Sequence, residues 1–161
     1  MGEGGSPCFN LDGLLFADRA DRPCSCYVQV FRNGCIEAIK SFSEGANARH
    51  MLPAVPFERH VLRQVDYSKR LLQVTGAQPP IVIFLTMVGM KGWRMGVSPE
   101  IDIRHGAFDR DPQFIPEVII ETFDGNAESE ARPLFDSTWN AGGWSGSINY
   151  DELGRWNADQ H

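Results

Sequence analysis

Tyr27–Lys40 reads YVQVFRNGCIEAIK, two runs of strand-forming residues that meet across Asn33-Gly34. A type I′ turn needs positive φ at both central residues, and Asn followed by Gly tolerates this at least steric cost. The pattern predicts a β-hairpin with Asn33 and Gly34 as its whole loop. In that register Phe31 faces Ile36, Val30 faces Glu37 and Val28 faces Ile39. Both faces are then partly apolar, which predicts that the pair lies within a larger sheet.

Downstream, Ser43–Val55 reads as a polar connector, and Pro56 opens a helix at a position where its missing N–H costs nothing. Phe57, Val61, Val65, Ser68 and Leu72 fall in one stripe about 80° wide, the mark of a core-facing helix. Gly76 stops it near Thr75, and Gln78-Pro79-Pro80 prevents its resumption. Ile81–Val88, IVIFLTMV, is expected as a central strand covered on both faces, with GMKG turning the chain so that Trp93–Val97 returns antiparallel. A short strand at Ile101–Arg104 and another over Phe114–Phe123 follow, with Pro116 near the start of the latter. Ala131, Leu134, Phe135, Thr138 and Trp139 recur at helical spacing. Pro133 suits that helix only if it begins nearby, and Gly142-Gly143 ends it.

Upstream, Met1–Cys24 is irregular, with Phe9–Phe16 docking on the body. The division expected is a loose arm over 1–24 and one domain over 25–161. The order β-β-α-β-β-(β)-β-α implies an α+β domain: an antiparallel or mixed sheet built on the hairpin, with two main helices packed on it.

A chain of 161 residues, 42% hydrophobic and 22% charged, has the composition of an ordinary globular protein. Its apolar runs fall short of a membrane span, and MGEGGSPCF has neither a basic flank nor an apolar signal core. These features predict a cytoplasmic protein with no membrane partner and four reduced cysteines. The net charge of −6 divides unevenly: −1 over residues 1–50, +3 over 51–100 and −8 over 101–161. An acidic C-terminal third repels a phosphate backbone, so only the middle third can offer a basic face.

Four blocks suggest a relationship: FNLDGLL (Phe9–Leu15), YVQVFRNGCIEAI (Tyr27–Ile39), IVIFLTMVGMKGW (Ile81–Trp93) and RPLFDSTWNAGGWSGSINYDELGRW (Arg132–Trp156). Taken in order, they resemble the C-terminal region of bacterial Schlafen/Alba-like proteins, a group described as nucleic-acid- or ATP-binding. The Alba-like domain, which would hold the nucleic-acid contacts, should lie upstream of Phe9. The resemblance therefore implies an accessory region, expressed alone or within a longer protein. Neither Gly-Lys-Ser nor Gly-Lys-Thr occurs, so ATP binding does not carry over, and no cofactor is expected.

Several constellations can carry chemistry. Arg59, Arg63 and Arg70 share a helix face and, with Lys91 and Arg94, can contact phosphate oxygens while Trp93 stacks on a base; a solvated helix face explains them equally. GMKG is only a weak match to the GxxG loop of the KH module, because it follows a strand. Asp102, His105, Asp109 and Asp111, with Glu117 or Glu121, can hold a divalent cation for phosphodiester hydrolysis, although Asp-Arg-Asp-Pro is also ordinary turn composition. Cys8, Cys24, Cys26 and Cys35 lack zinc-site spacing. Glu37 and Lys40 would point to opposite strand faces, unlike a nuclease carboxylate–lysine pair. Trp139, Trp144, Tyr150 and Trp156 frame a pocket or partner surface, or cover a core edge.

The leading expectation is a non-enzymatic accessory or interaction domain in regulation or defence, acting with a protein partner or a second copy through the C-terminal aromatics. The alternatives are a nucleic-acid-binding module on the basic helix face and a divalent-metal-dependent nuclease or phosphoesterase.

Overall fold

The computed structural model describes residues 7–18, 25–42, 50–97 and 105–157. The chain divides into two compact units, Met1–Ala46 and Asn47–His161, and the class is α+β.

In the first unit, β1 (Cys8–Phe9), β2 (Gly13–Ala17), β3 (Cys26–Phe31) and β4 (Ile36–Lys40) form an antiparallel sheet in sequence order. The docking segment expected at Phe9–Phe16 thus docks as strands. β2 and β3 lie so close that a Cβ on Gly13 would sit 2.0 Å from the Val30 carbonyl oxygen.

The hairpin forms where expected, but its turn is not type I′. Val30 pairs with Ile36, Gln29 with Glu37 and Val28 with Ala38, one residue out of the expected register. Among the described non-glycine residues only His50 has positive φ, so Asn33 does not take the required conformation. The loop is Arg32-Asn33-Gly34, with Gly34 at φ 89° taking the left-handed position. The Gly34 N–H donates to the Phe31 carbonyl at 3.0 Å, and the Asn33 side-chain oxygen accepts the Cys35 N–H at 3.0 Å. Asn33 therefore serves the turn through its amide group, and the φ requirement falls on glycine alone.

The second unit runs β5 (Met51–Pro53), α1 (Ala54–Val74), β6 (Ile81–Met87), β7 (Arg94–Gly96), β8 (Gln113–Ile120) and α2 (Ala127–Ala141). β7 does not return antiparallel along β6 as expected. It pairs in parallel with β5, Leu52 opposite Met95, inside the stretch read as a connector. β6 instead pairs with β8. Ile83 faces Val118 and Leu85 faces Ile115, so Pro116 and Glu117 together oppose Phe84 in a β-bulge. The extra residue resets the phase of β8, and Gln113, Ile115 and Ile120 are all buried. The bulge also accommodates Pro116 in mid-strand, where an unbroken ladder would miss its N–H.

β6 is not covered on both faces. Ile81, Ile83 and Leu85 are half-buried and Met87 buried, whereas Val82, Phe84 and Val88 are exposed.

α1 starts two residues before Pro56. Phe57 and Val65 are buried, and Val61, Ser68 and Leu72 are half-buried. Glu58 and Lys69 are buried beside them, widening the stripe to about 120°. Lys69 reaches across to α2, its Nζ donating to the Gly125 carbonyl at 2.7 Å and pairing with Glu130. α2 begins at Ala127, capped by Asn126, so Pro133 lies within the helix rather than at its start. Its five expected apolar-face residues are all buried, and α1 meets α2 through Phe57 and Phe135, whose rings pack edge-on at 6.2 Å.

Candidate functional site

In the second unit the carboxyl of Glu58, near the start of α1, is wholly buried. Oε1 accepts from the Trp139 indole N–H at 2.7 Å and the Ser147 hydroxyl at 2.6 Å. Oε2 accepts from the Asn149 amide at 2.8 Å and the Trp156 indole N–H at 2.7 Å. The four acceptor directions of a carboxylate are all used.

The donors come from separate places whose local structure brings them in. Trp139 is held by the apolar face of α2. Ser147 is positioned by its N–H, which donates to Asp136 at 2.9 Å. Trp156 is returned by a tight turn in which Asp151 accepts the Leu153 and Arg155 N–H groups, each at 2.9 Å. The Arg155 backbone bond, first among the causes, holds the Asp151 carboxyl below its ordinary range. Tyr150 pairs with Trp156 across that turn and donates its hydroxyl to the Glu128 carbonyl at 2.6 Å. Burial first, then the nearby Glu58 carboxyl, raises the Tyr150 phenol above its ordinary value.

The structure thus brings the four C-terminal aromatics together, around a buried carboxyl. Trp139 is fully buried and sits edge-on to Trp144 at 5.1 Å between ring centroids. Trp144 stacks on His105 at 3.6 Å. Both Trp139 and Trp156 spend their N–H groups inward. Sequence reasoning missed Glu58 because it lies just beside the predicted helix stripe. An acidic residue next to a core stripe, in a chain with several tryptophans, was the available signal.

Arg59, Arg63 and Arg70 are all exposed on one face of α1. The Arg59 guanidinium lies 5.7 Å from the centre of the Trp156 ring. Arg70 pairs with Asp66 at 2.8 Å. Lys91 is exposed in the turn after β6. Trp93 leans on His50 at 5.6 Å, and Arg94 donates to the His105 carbonyl at 3.2 Å.

Of the residues expected to bind metal, Asp111, Asp109 and His105 have partners of their own. Asp111 accepts the Gly89 N–H at 2.7 Å, Asp109 faces Arg110 at 3.6 Å, and His105 Nδ1 meets the Gly143 carbonyl at 3.2 Å. Asp102 and Cys24 lie outside the described residues. Among those described, no three His, Cys, Asp or Glu side chains converge as metal ligands. Cys8 and Cys35 are exposed, while burial, followed by the Asp18 carboxylate, pushes the Cys26 thiol up from its ordinary value.

Two surfaces remain. In the first unit a shallow hollow of about 320 Å³ lies over Gln29, walled by Tyr27, Phe31, Leu15 and Glu37. Gln29 is buried and bonded to Asn10 at 2.8 Å, and the Tyr27 hydroxyl bonds to Glu37. In the second unit the outer face of β6–β8 presents Phe84 at 75% exposure and Phe114 at 70%, flanked by Val82, Val88 and Ile119. Neither strand contains Lys or Arg, and Glu117 is the only charge in either.

Among the described residues no helix is long and apolar enough to cross a membrane. Compared with family models, curated proteins and solved structures, the chain matches none.

Proposed function

We propose that this chain is a non-enzymatic interaction domain, an accessory region of a Schlafen/Alba-like bacterial protein in regulation or defence. It engages a protein surface through the outer face of β6–β8. The observation that carries this reading is the exposure of Phe84 and Phe114, diagonal to one another across the two strands, on a ribbon whose other face builds the core. Contiguous exposed apolar area of this kind marks an association site. With no Lys or Arg in either strand, the face has no complement for phosphate and suits an apolar protein surface. The C-terminal aromatics are less suited to a partner, because Trp139 and Trp156 commit their indole N–H groups inward to Glu58.

A photo-crosslinking residue in place of Phe84 tests this in cells producing the full chain. The expected result is a discrete protein adduct that disappears when Phe114→Asp is added. Adducts no more discrete than those from the same probe at exposed Glu152 remove the reading.

A further inference from the structure

We infer that the protein occupying the outer face of β6–β8 is a second copy of this chain, docked face to face about a twofold axis. The inference rests on the functional reading above and specifies the partner. Its first support is area. At their observed exposures Val82, Phe84, Val88, Phe114 and Ile119 present roughly 600 Å², the upper end of the largest apolar patch on a typical monomer. Two such faces, if buried completely, remove roughly 1,200 Å² from water, the lower bound for specific protein interfaces.

The second support is shape. A two-stranded antiparallel ribbon has an approximate twofold axis through its face, so a copy turned over can lie on it with strands aligned, as in a two-layer sandwich. The layers would stand about 10 Å apart, a gap that interdigitated Phe and Ile side chains fill. The third support is the low charge of the two strands, in which Glu117 is the single acidic side chain and no basic one occurs. Glu117 lies in the bulge opposite Phe84, and the rest of the outer face is apolar apart from Thr86. Self-association sets apolar side chains against one another, with the Glu117 of each copy kept in water at the rim of the contact.

Weak, transient contacts lie at the low end of the interface size range, so the measurement must extend to high micromolar concentration. Sedimentation equilibrium of the full chain from about 1 to about 100 μM tests the inference. The expected result is an average mass rising toward twice that of the chain. Phe84→Asp and Phe114→Asp should each weaken dimerisation at least tenfold. Leu153→Asp, at another exposed apolar position, should leave it unchanged. Circular dichroism of the variants checks folding, which these substitutions at exposed positions should preserve.

A chain that stays at monomer mass throughout overturns the inference, as does a dimer indifferent to both Phe substitutions, for example one formed through an open strand edge. The crosslinking experiment separates the two levels of the argument. Adducts with a different protein from a monomeric chain sink the self-association while keeping the face as an interaction site.

Discussion

The Glu58 carboxyl accepts four side-chain hydrogen bonds within the second unit. It ties α1 to α2 through Trp139 and to the C-terminal turns through Ser147, Asn149 and Trp156. A buried acceptor surrounded by four donors cannot be replaced by an amide without conflict. Glu58→Gln would aim its NH₂ at an indole N–H whichever way it turned, either Trp139 or Trp156. The variant should lose about 3 kcal/mol of stability, measured by urea denaturation. A loss below about 0.5 kcal/mol, typical of an exposed position, would show that the four bonds are not all made in solution. Lys69 is a second buried polar tie, joining the same two helices through Gly125 and Glu130.

At the scale of elements, two irregularities sit inside otherwise regular structure. The bulge at Pro116-Glu117 lets both ends of β8 point apolar residues into the core, which an unbroken alternation from Ile115 to Ile120 would not. Pro133, the seventh residue of α2, cannot donate to the carbonyl one turn back and crowds it. Because Pro133 is itself exposed, Pro133→Ala removes that defect without opening a cavity. It should stabilise the protein by about 1–3 kcal/mol, read as a rise in thermal midpoint. An unchanged or lowered midpoint would mean that the surrounding structure depends on the distortion. The helix forms despite proline because Ala131, Leu134, Phe135, Thr138 and Trp139 are all buried from its opposite face, and tertiary burial outweighs the local cost.

Across the whole molecule, burial is concentrated in one unit. Among the described residues of the first unit only Gly13 and Gln29 are buried, whereas the second holds the Phe57, Phe135 and Trp139 cluster. Local opening therefore costs less in the four-stranded sheet. Native-state hydrogen exchange should show the β3 and β4 amides exchanging well before those of β8 and α2. Equal protection in both units would contradict the burial difference.

Much of the fold was legible from residue order. The hairpin, both helices, β6, β7, β8 and the buried face of α2 follow from periodicity and from Asn, Gly and Pro placement, which act within a few residues. By contrast, β5 lies in the stretch read as a connector, and the strand expected at Ile101–Arg104 lies outside the described residues. The hairpin register was less legible, because Asn33-Gly34 satisfies two loop geometries and strand pairing chooses between them. The pairing of β7 with β5 and of β6 with β8 was not legible at all, since an apolar strand carries no mark of its neighbour.

The candidate surface shows the same boundary. IVIFLTMV announces a strand with two apolar faces, and sequence alone determined that much. Whether the outer face meets core or solvent depends on which elements reach it, so tertiary structure decided that Phe84 and Phe114 lie exposed. It likewise decided that Glu58 is buried, because only the long-range approach of α2 and the C-terminal turns supplies its four donors. Chemistry along the chain specifies what each residue can do; the meeting of distant segments specifies which of those capacities remains unused.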